Sequence, residues 1–565
     1  MGKKGYDFII IGSGSAGSVV ANRLSADPAV SVLLLEAGGH ANSFWLRLPV
    51  GYFRSIYDTR FSRQFKTEPC DGVAGRSIDC PRGRVVGGSS SINGLIFIRG
   101  QHQDFDDWEN AGATGWSYLD VLPHFRKMEG YQGRPSQHRG SHGEYSVSDL
   151  RNHHPYCTAW IEAARAYGLP DNPDFNGETT YGVGAYQLAL DGRWRESAAT
   201  AFLKPVLKRP NLTLLTDAHV TRLLFSGSRA IGVEWSRKGQ LEKACADSEV
   251  IVSAGAIQSP QILQLSGIGD AEKLKNLGIS VLQDLPEVGA NLQDHLQMRT
   301  IVRLNEKKSF NDDVRNPLKL AQMGAQWLFH ASGPLTVGAG QVGGAASTKY
   351  AVDGRPDVQL FVMPLSVDKP GEPLHRYSGF TTSVWQCHPE SRGSVDIVSA
   401  DPMVSPQITP NYLEAGLDQQ VLVEGIKMVR DIAHQPEFRK LWNEEVIPGA
   451  SAGTDEQILD AARRMAGTVY HWVGTCRMGS DVGAVVDPEL RVNGIDNLRI
   501  IDASVMPKIT SANTNAPTLM IGHKGADLVL ARHSTQGQAA RAAQAVNYRN
   551  PNLNMELSHG QFSGS

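Results

Sequence analysis

Residues 6–39, YDFIIIGSGSAGSVVANRLSADPAVSVLLLEAGG, constrain this chain more than any other stretch. Residues 8–11 form a β-branched and aromatic run ended at once by glycine, the pattern of a strand buried on both faces of a parallel sheet. Gly12, Gly14 and Gly17 follow, residues 18–24 carry apolar side chains at helical intervals, and 32–35 is a second buried run closed by Glu36. The unit reads as βαβ. Gly12 permits the tight strand-to-helix turn, Gly14 lets backbone approach a pyrophosphate, and Gly17 lets helix and strand pack closely. The helix N-terminus offers unpaired N–H groups, and Glu36 is placed to accept from ribose hydroxyls. Glycines, strands and terminal acid in this order predict an ADP-containing cofactor, without separating FAD from NAD.

At 565 residues, with 58 glycines, the chain is long enough for two domains with substantial cores and points to an α/β protein with many close turns. Its 55 basic and 58 acidic residues leave a formal charge of −3. No basic block or tail invites nucleic acid. Cys70, Cys80, Cys157, Cys245, Cys387 and Cys476 lack metal-like spacing and read as free thiols in a reducing compartment. No removable targeting segment is recognised ahead of the first strand, and no run approaches eighteen apolar residues. The expectation is a cytoplasmic protein whose membrane contact, if any, is peripheral.

Residues 37–80 are irregular and hold Phe44, Trp45, Tyr52, Phe53, Tyr57, Phe61 and Phe65. Most of these rings are expected to cover the sheet edge rather than touch a substrate, although an excursion of this length is often a lid. Residues 81–100, PRGRVVGGSSSINGLIFIRG, come next. There Gly87, Gly88 and three serines let backbone approach a flat ligand, and Asn93 offers donor and acceptor to a heterocycle edge.

These two stretches together resemble the glucose-methanol-choline (GMC) oxidoreductases, flavoproteins that oxidise alcohols with FAD. Four further stretches carry the same resemblance: 249–269 (EVIVSAGAIQSPQILQLSGIG), 288–295 (VGANLQDH), 470–479 (YHWVGTCRMG) and 502–518 (DASVMPKITSANTNAPT). The likeness runs from about residue 6 to about residue 532. It implies an α/β fold: a Rossmann-like FAD-binding domain from 1–150, 205–300 and 466–532, and an α+β substrate domain from 151–204 and 301–465. The cofactor residues it implies are Gly12, Gly14, Ser15, Ala16, Gly17, Glu36, Ala37, Arg84, Gly87, Gly88, Ser89, Asn93, Gly94, Val220, Ala254, Asp502, Ala503, Asn513, Asn515 and Thr518. For Asp502 a helix-capping role competes with cofactor contact.

Read physically, 249–253 is a buried strand and Gly255 a turn, and Pro260 suits the first turn of a helix through Leu265. Residues 211–225 read as strand, turn and strand. Residues 156–167 and the runs 318–330 and 418–433 read as helices. The runs 358–363, 381–387 and 394–397 read as strands of an antiparallel sheet with one face free to roof a cavity, which is what the family's substrate domain contains.

Alcohol oxidation requires a group that takes the hydroxyl proton and another that steadies the oxygen as charge forms. His471 and Asn513 fall on the family's catalytic histidine and its histidine-or-asparagine partner. The expectation is His471 as general base and Asn513 as donor to the alcohol oxygen. The other histidines, including His102, His295, His330 and His388, have no such support. A helix starting near Pro517, with Asn515 and Thr518 in its first turn, would favour negative charge on reduced flavin.

Three departures matter. Ile92 stands where some relatives attach FAD through histidine, so FAD is expected to be non-covalent. Trp472 replaces a common proline beside the base and is expected to reshape the pocket wall. Gln341 aligns with the glutamate that pairs with choline's ammonium group in choline-oxidising relatives, which favours an uncharged primary alcohol. The overall pattern resembles choline-dehydrogenase-like bacterial alcohol dehydrogenases, which pass electrons to a quinone or another acceptor. Alternatives are an oxygen-using alcohol oxidase or a choline dehydrogenase, and, in another class, a flavin-dependent lyase or decarboxylase. The oligomeric state is open. Residues 533–565 lie outside the resemblance and read as a polar tail, disordered or packed on a neighbouring surface.

Overall fold

The computed structural model describes residues 5–151 and 153–533. The tail expectation therefore lies outside the described residues except for His533, which ends a helix.

The first βαβ unit forms as its pattern requires. The strand Gly5–Ile11 pairs in parallel with Val32–Leu35 on one side and with the strand Gln240–Val252 on the other. Phe8, Ile9, Ile10 and Ile11 are all buried. Leu212–Leu215 extends the parallel sheet beyond Val32–Leu35, and Leu498–Ile500 pairs in parallel with Val250, Ile251 and Val252 at the end of Gln240–Val252. The start of that long strand instead pairs antiparallel with Arg229–Arg237, which pairs with His219–Ser226. One strand thus serves both a parallel core and an antiparallel extension.

A second sheet is antiparallel throughout, in the order Val342–Ala346, Val358–Met363, Gly379–Gln386, Leu296–Leu304 and Trp442–Ile447, with Gly467–Thr468 against the start of Leu296–Leu304. The expected boundary at 300/301 falls inside Leu296–Leu304. Strand alternation divides the faces. Leu360, Val362 and Val384 enter a core shared with the helices Pro155–Tyr167 and Gly416–Ala433, while Phe361, Met363, Trp385, Gln297 and Arg299 line a cavity. Helix Gly416–Ala433 lies close to the sheet at Gly425, where a Cβ would stand 2.7 Å from Val384. The expected roof is present, with one correction. Residues 394–397 do not join it, because Ser394–Asp396 pairs with Gln407–Thr409 in a separate two-stranded ladder.

A second correction concerns Pro260, which lies inside the helix Gly255–Leu265 and not in its first turn. Proline has no N–H to give to the carbonyl four residues back, that of Ala256. The buried Thr475 hydroxyl donates to that carbonyl at 2.6 Å instead, so a proline-broken ladder is closed by a side chain 219 residues from the carbonyl it meets. Thr475→Val should therefore lower unfolding free energy by about 1–3 kcal/mol, the cost of a buried carbonyl left without a partner. Adding Pro260→Ala, which restores the backbone donor, should recover part of it. Equal denaturation midpoints for wild type and Thr475→Val would contradict this account.

Candidate active site

A cavity of about 510 Å³ lies between the first βαβ unit and the second sheet. Its floor begins where two glycine loops meet. Gly12 has φ +95°, and a Cβ there would stand 2.5 Å from the Ser253 carbonyl oxygen. Gly88 has φ +54°, and its Cβ would stand 2.7 Å from the Gly14 Cα. Only backbone without side chains can pass so closely and leave the helix N-terminus open to a ligand. Ser15 at the start of helix Ser15–Leu24 donates to the Asn515 side chain at 2.8 Å. Asn515 opens helix Asn515–His533, so two positive helix ends are joined at the cavity wall.

The expected cofactor residues separate into two groups. Gly12, Gly14, Ser15, Ala16, Glu36, Ala37, Gly88, Ser89, Asn93, Gly94, Val220, Ala254, Asp502, Ala503, Asn513, Asn515 and Thr518 line the cavity. Gly17, Gly87 and Arg84 stand behind that lining. Gly17 packs on Gly12 and Ser253, Gly87 on Ser91 and Ala199, and the exposed Arg84 donates to the Ala37 carbonyl. Glu36 accepts from Ser13 N, Ser13 Oγ and Gly38 N. Burial raises its pKa against those bonds. Asp502 accepts from Gly255 N, Ser259 Oγ, Ser504 N and Ser504 Oγ. Four protein donors occupy its carboxylate, as its capping role requires. The glycine cradle, the acid at the end of the second strand and the paired helix ends suit a dinucleotide. Ile92 is buried beside Leu46 and Val85 and has no atom that could bond covalently to a flavin.

The structure brings His471 and Asn513 together. Asn513 Nδ2 lies 3.0 Å from His471 Nε2, and Asn513 Oδ1 is buried with no protein partner. On its other side, His471 Nδ1 lies 2.9 Å from His295 Nδ1, and His295 Nε2 lies 3.0 Å from the Cys387 carbonyl. A carbonyl only accepts, so in the neutral pair His295 Nε2 carries a hydrogen and His295 Nδ1 accepts. His471 must then donate from Nδ1 and present a bare Nε2 to Asn513. Burial lowers the His471 pKa well below the ordinary value of 6.5, with His295 and Arg82 adding to the effect. His295 is also lowered, to about 4, by burial.

The backbone that carries His471 is held from several directions. Asp294 accepts from His471 N at 2.7 Å and from the Tyr412 and Thr468 hydroxyls, both at 2.5 Å. Burial nonetheless raises Asp294 to about 6. Tyr470 adopts φ +67°, an uncommon conformation for a non-glycine residue. Its hydroxyl meets Tyr57 at 2.9 Å and its carbonyl accepts from Arg82 at 2.9 Å.

Several lining residues escaped sequence reasoning. Tyr52, Phe53 and Tyr57 line the cavity, while Phe44, Trp45, Phe61 and Phe65 do not, so the irregular region is part wall and part cover. Asp294 and His295 close the stretch 288–295 that carries part of the family resemblance, a signal that gave neither residue a role. Two expectations are corrected. Trp472 is buried in the substrate-side core against Tyr412 and does not reach the cavity. Gln341 is also outside the lining, and its side chain accepts from His154 N at 2.8 Å. Its neutrality therefore carries no information about the substrate.

Gly88→Ala should disrupt the cradle, because its Cβ meets backbone that cannot rotate away. The purified variant is expected to lose bound flavin absorbance while keeping its far-ultraviolet circular dichroism. Full flavin content would show that the loops can separate without loss of binding.

Known proteins place this architecture. Family models described as GMC oxidoreductase match residues 6–297 and 389–522. The chain is 38% identical to an alcohol dehydrogenase (acceptor) of Pseudomonas putida over 98% of its length and 100% of that protein. It is 39% identical to mitochondrial choline dehydrogenase of Homo sapiens over 93% of its length and 89% of that protein. Among solved structures, pyridoxine 4-oxidase from Mesorbium loti is similar with a TM-score of 0.83 and 30% identity, covering 92% of this chain and 98% of that one. A formate oxidase is similar with a TM-score of 0.87 and 26% identity, covering 94% and 99%. Two matched halves, relatives alike over nearly their whole length and one shared architecture make this chain a member of the GMC oxidoreductase family.

Proposed function

We propose that this protein oxidises a primary, uncharged alcohol to the aldehyde with non-covalently held FAD, and that the electrons leave to a quinone or another acceptor. The observation that carries this reading is the bare His471 Nε2 facing Asn513 Nδ2 in a cavity with a dinucleotide cradle. Similarity to an alcohol dehydrogenase (acceptor) supports both the substrate class and the acceptor. Bound FAD supplies the two-electron acceptor for the alcohol's carbon–hydrogen bond.

The chain's own residues manage the proton and the charge. An alcohol hydroxyl entering between His471 and Asn513 would donate to Nε2 and accept from Nδ2–H. Because His471 stays neutral well below pH 6.5, its lone pair is available across the physiological range. Its Nδ1–H donates to His295, so the imidazolium that forms is stabilised through a chain ending on a carbonyl. Arg82 supplies a fixed positive charge near the developing alkoxide, and the helix beginning at Asn515 adds its positive end. Phe361, Met363 and Trp385 present apolar surface to the substrate side.

The charge of the wall bears on the substrate. Asp79 is paired with Lys66 and Lys369, and the Asp502 carboxylate is already occupied by protein donors. Arg76, Arg82, Arg299 and Lys369 line the same cavity together with Glu36, Asp79, Asp368 and Asp502. The lining therefore carries as many acidic as basic side chains and does not by itself select a charged substrate.

Anaerobic mixing with a panel of primary alcohols should bleach the oxidised flavin band, and a quinone should restore it. A lyase or decarboxylase would not bleach. His471→Ala should slow bleaching by roughly two or more decades while retaining FAD; unchanged bleaching would remove the base assignment. His295 is a positioning residue. His295→Ala should lower kcat by roughly 10–100-fold with KM and FAD content little changed, the scale seen when an orienting partner is removed. The inflection in its pH profile should also move relative to wild type. A purely structural role would instead lower FAD content or melting temperature and leave the profile in place.

A further inference from the structure

Arg195 ends the short strand Trp194–Arg195 and is 2% exposed, yet among the described residues no carboxylate is paired with it. Its guanidinium is held by oxygen atoms of neutral groups instead. Nη1 donates to Asn93 Oδ1 at 2.8 Å and to the Ser90 carbonyl at 3.4 Å, and Nη2 donates to the Pro49 carbonyl at 3.4 Å. Nε has no partner. Burial lowers the Arg195 pKa to about 10, so the group is still cationic at neutral pH. A buried cation without an anion is costly to keep, and the shortest contact this one makes is with Asn93.

That contact settles which way the Asn93 amide faces. Leu95 N also donates to Asn93 Oδ1, at 3.1 Å, in a turn where Leu95 has φ +71°. A guanidinium and a backbone N–H can only donate, so the atom they share is the oxygen and the amide cannot be turned over. Asn93 lines the cavity, and its Nδ2 makes no hydrogen bond within the described chain. The sequence leaves this asparagine free to offer both donor and acceptor to a heterocycle edge. In the fold the acceptor is spent inside the protein, and N–H alone is left for the cavity.

We propose that Arg195 is a positioning residue for the flavin: it fixes Asn93 as a hydrogen-bond donor to the bound ring system and polarises that amide so that electron uptake by the ring is favoured. A charged donor makes a strong hydrogen bond, and each bond in a chain polarises the next. A donor set where negative charge develops is worth most in a site that excludes water. Arg195 is not part of the cavity lining, so its influence passes through Asn93. The inference needs only that FAD occupies the cradle, not that an alcohol is the reductant.

The test is anaerobic titration of the FAD-loaded full chain with dithionite beside a reference dye, which reads the ratio of reduced to oxidised flavin at a set potential with no alcohol present. Arg195→Met should lower that ratio roughly tenfold, about 30 mV for a two-electron couple, with FAD still bound. Arg195→Lys, which keeps a cation beside Asn93, should stay within roughly threefold of wild type. Arg195→Met made in an Asn93→Ala background should change the ratio by roughly threefold or less, because the relay is already gone. Asn93→Asp leaves the guanidinium its partner but puts an acceptor where the donor was, and should lower the ratio by roughly tenfold or more. A purely structural Arg195 would instead lower FAD content or melting temperature and leave the ratio in place, which would overturn the proposal. A full drop in the Asn93→Ala background would overturn it too. So would an unchanged ratio in Asn93→Asp, a variant that leaves Arg195 intact and decides the matter if Arg195→Met does not hold FAD.

Discussion

A single buried carboxylate holds the chemistry in place. Asp294 takes hydrogen bonds from Tyr412, Thr468 and the backbone of His471, so two stretches, one at 412 and one at 468–471, converge on it in the folded protein. A buried carboxylate without such donors would be costly, and with them it acts as a fixed point. Burial still raises its pKa to about 6, which shows that desolvation is only partly offset. The neighbouring His295 adds the second constraint by accepting from His471 Nδ1. Together they fix where the imidazole sits and which nitrogen is bare.

The cofactor side is built by a different means. There the essential feature is a bare backbone at Gly88, which passes Gly14 at a distance that a Cβ on Gly88 would not allow. The helices that begin at Ser15 and Asn515 are tied through one side-chain hydrogen bond and also pack together, with Gly522 against Ala16. Both positive ends are consequently directed to one wall. The arrangement favours negative charge at that wall.

The surface and the interior are linked by short connections. Phe44, Trp45, Trp194 and Trp327 form an aromatic group outside the cavity lining, yet the segments that carry Phe44, Trp45 and Trp327 run on to Tyr52, Phe53 and Ala339 within it. The irregular region that gave little periodic signal therefore does two jobs at once. Its outer Trp45 lies under the Arg54 guanidinium, and its inner rings Tyr52, Phe53 and Tyr57 line the cavity.

Local patterns in the sequence determined the βαβ unit, the run 358–363 as a strand and the helices Pro155–Tyr167 and Gly416–Ala433 to within a few residues, because strand and helix periods are local properties. They also determined Gly12 and Gly17, whose steric duties arise within the same turn. His471 and Asn513 were found through family motifs, not through spacing. Only the tertiary structure decided that His295, passed over as one histidine among many, lies 2.9 Å from His471, and that Gln341 and Trp472 stand outside the cavity lining. It likewise placed Pro260 inside a helix, since the hydroxyl that makes this tolerable comes from Thr475. In each case the deciding partner is far away in the chain, and a contact of that kind leaves no periodic trace in the residues that make it.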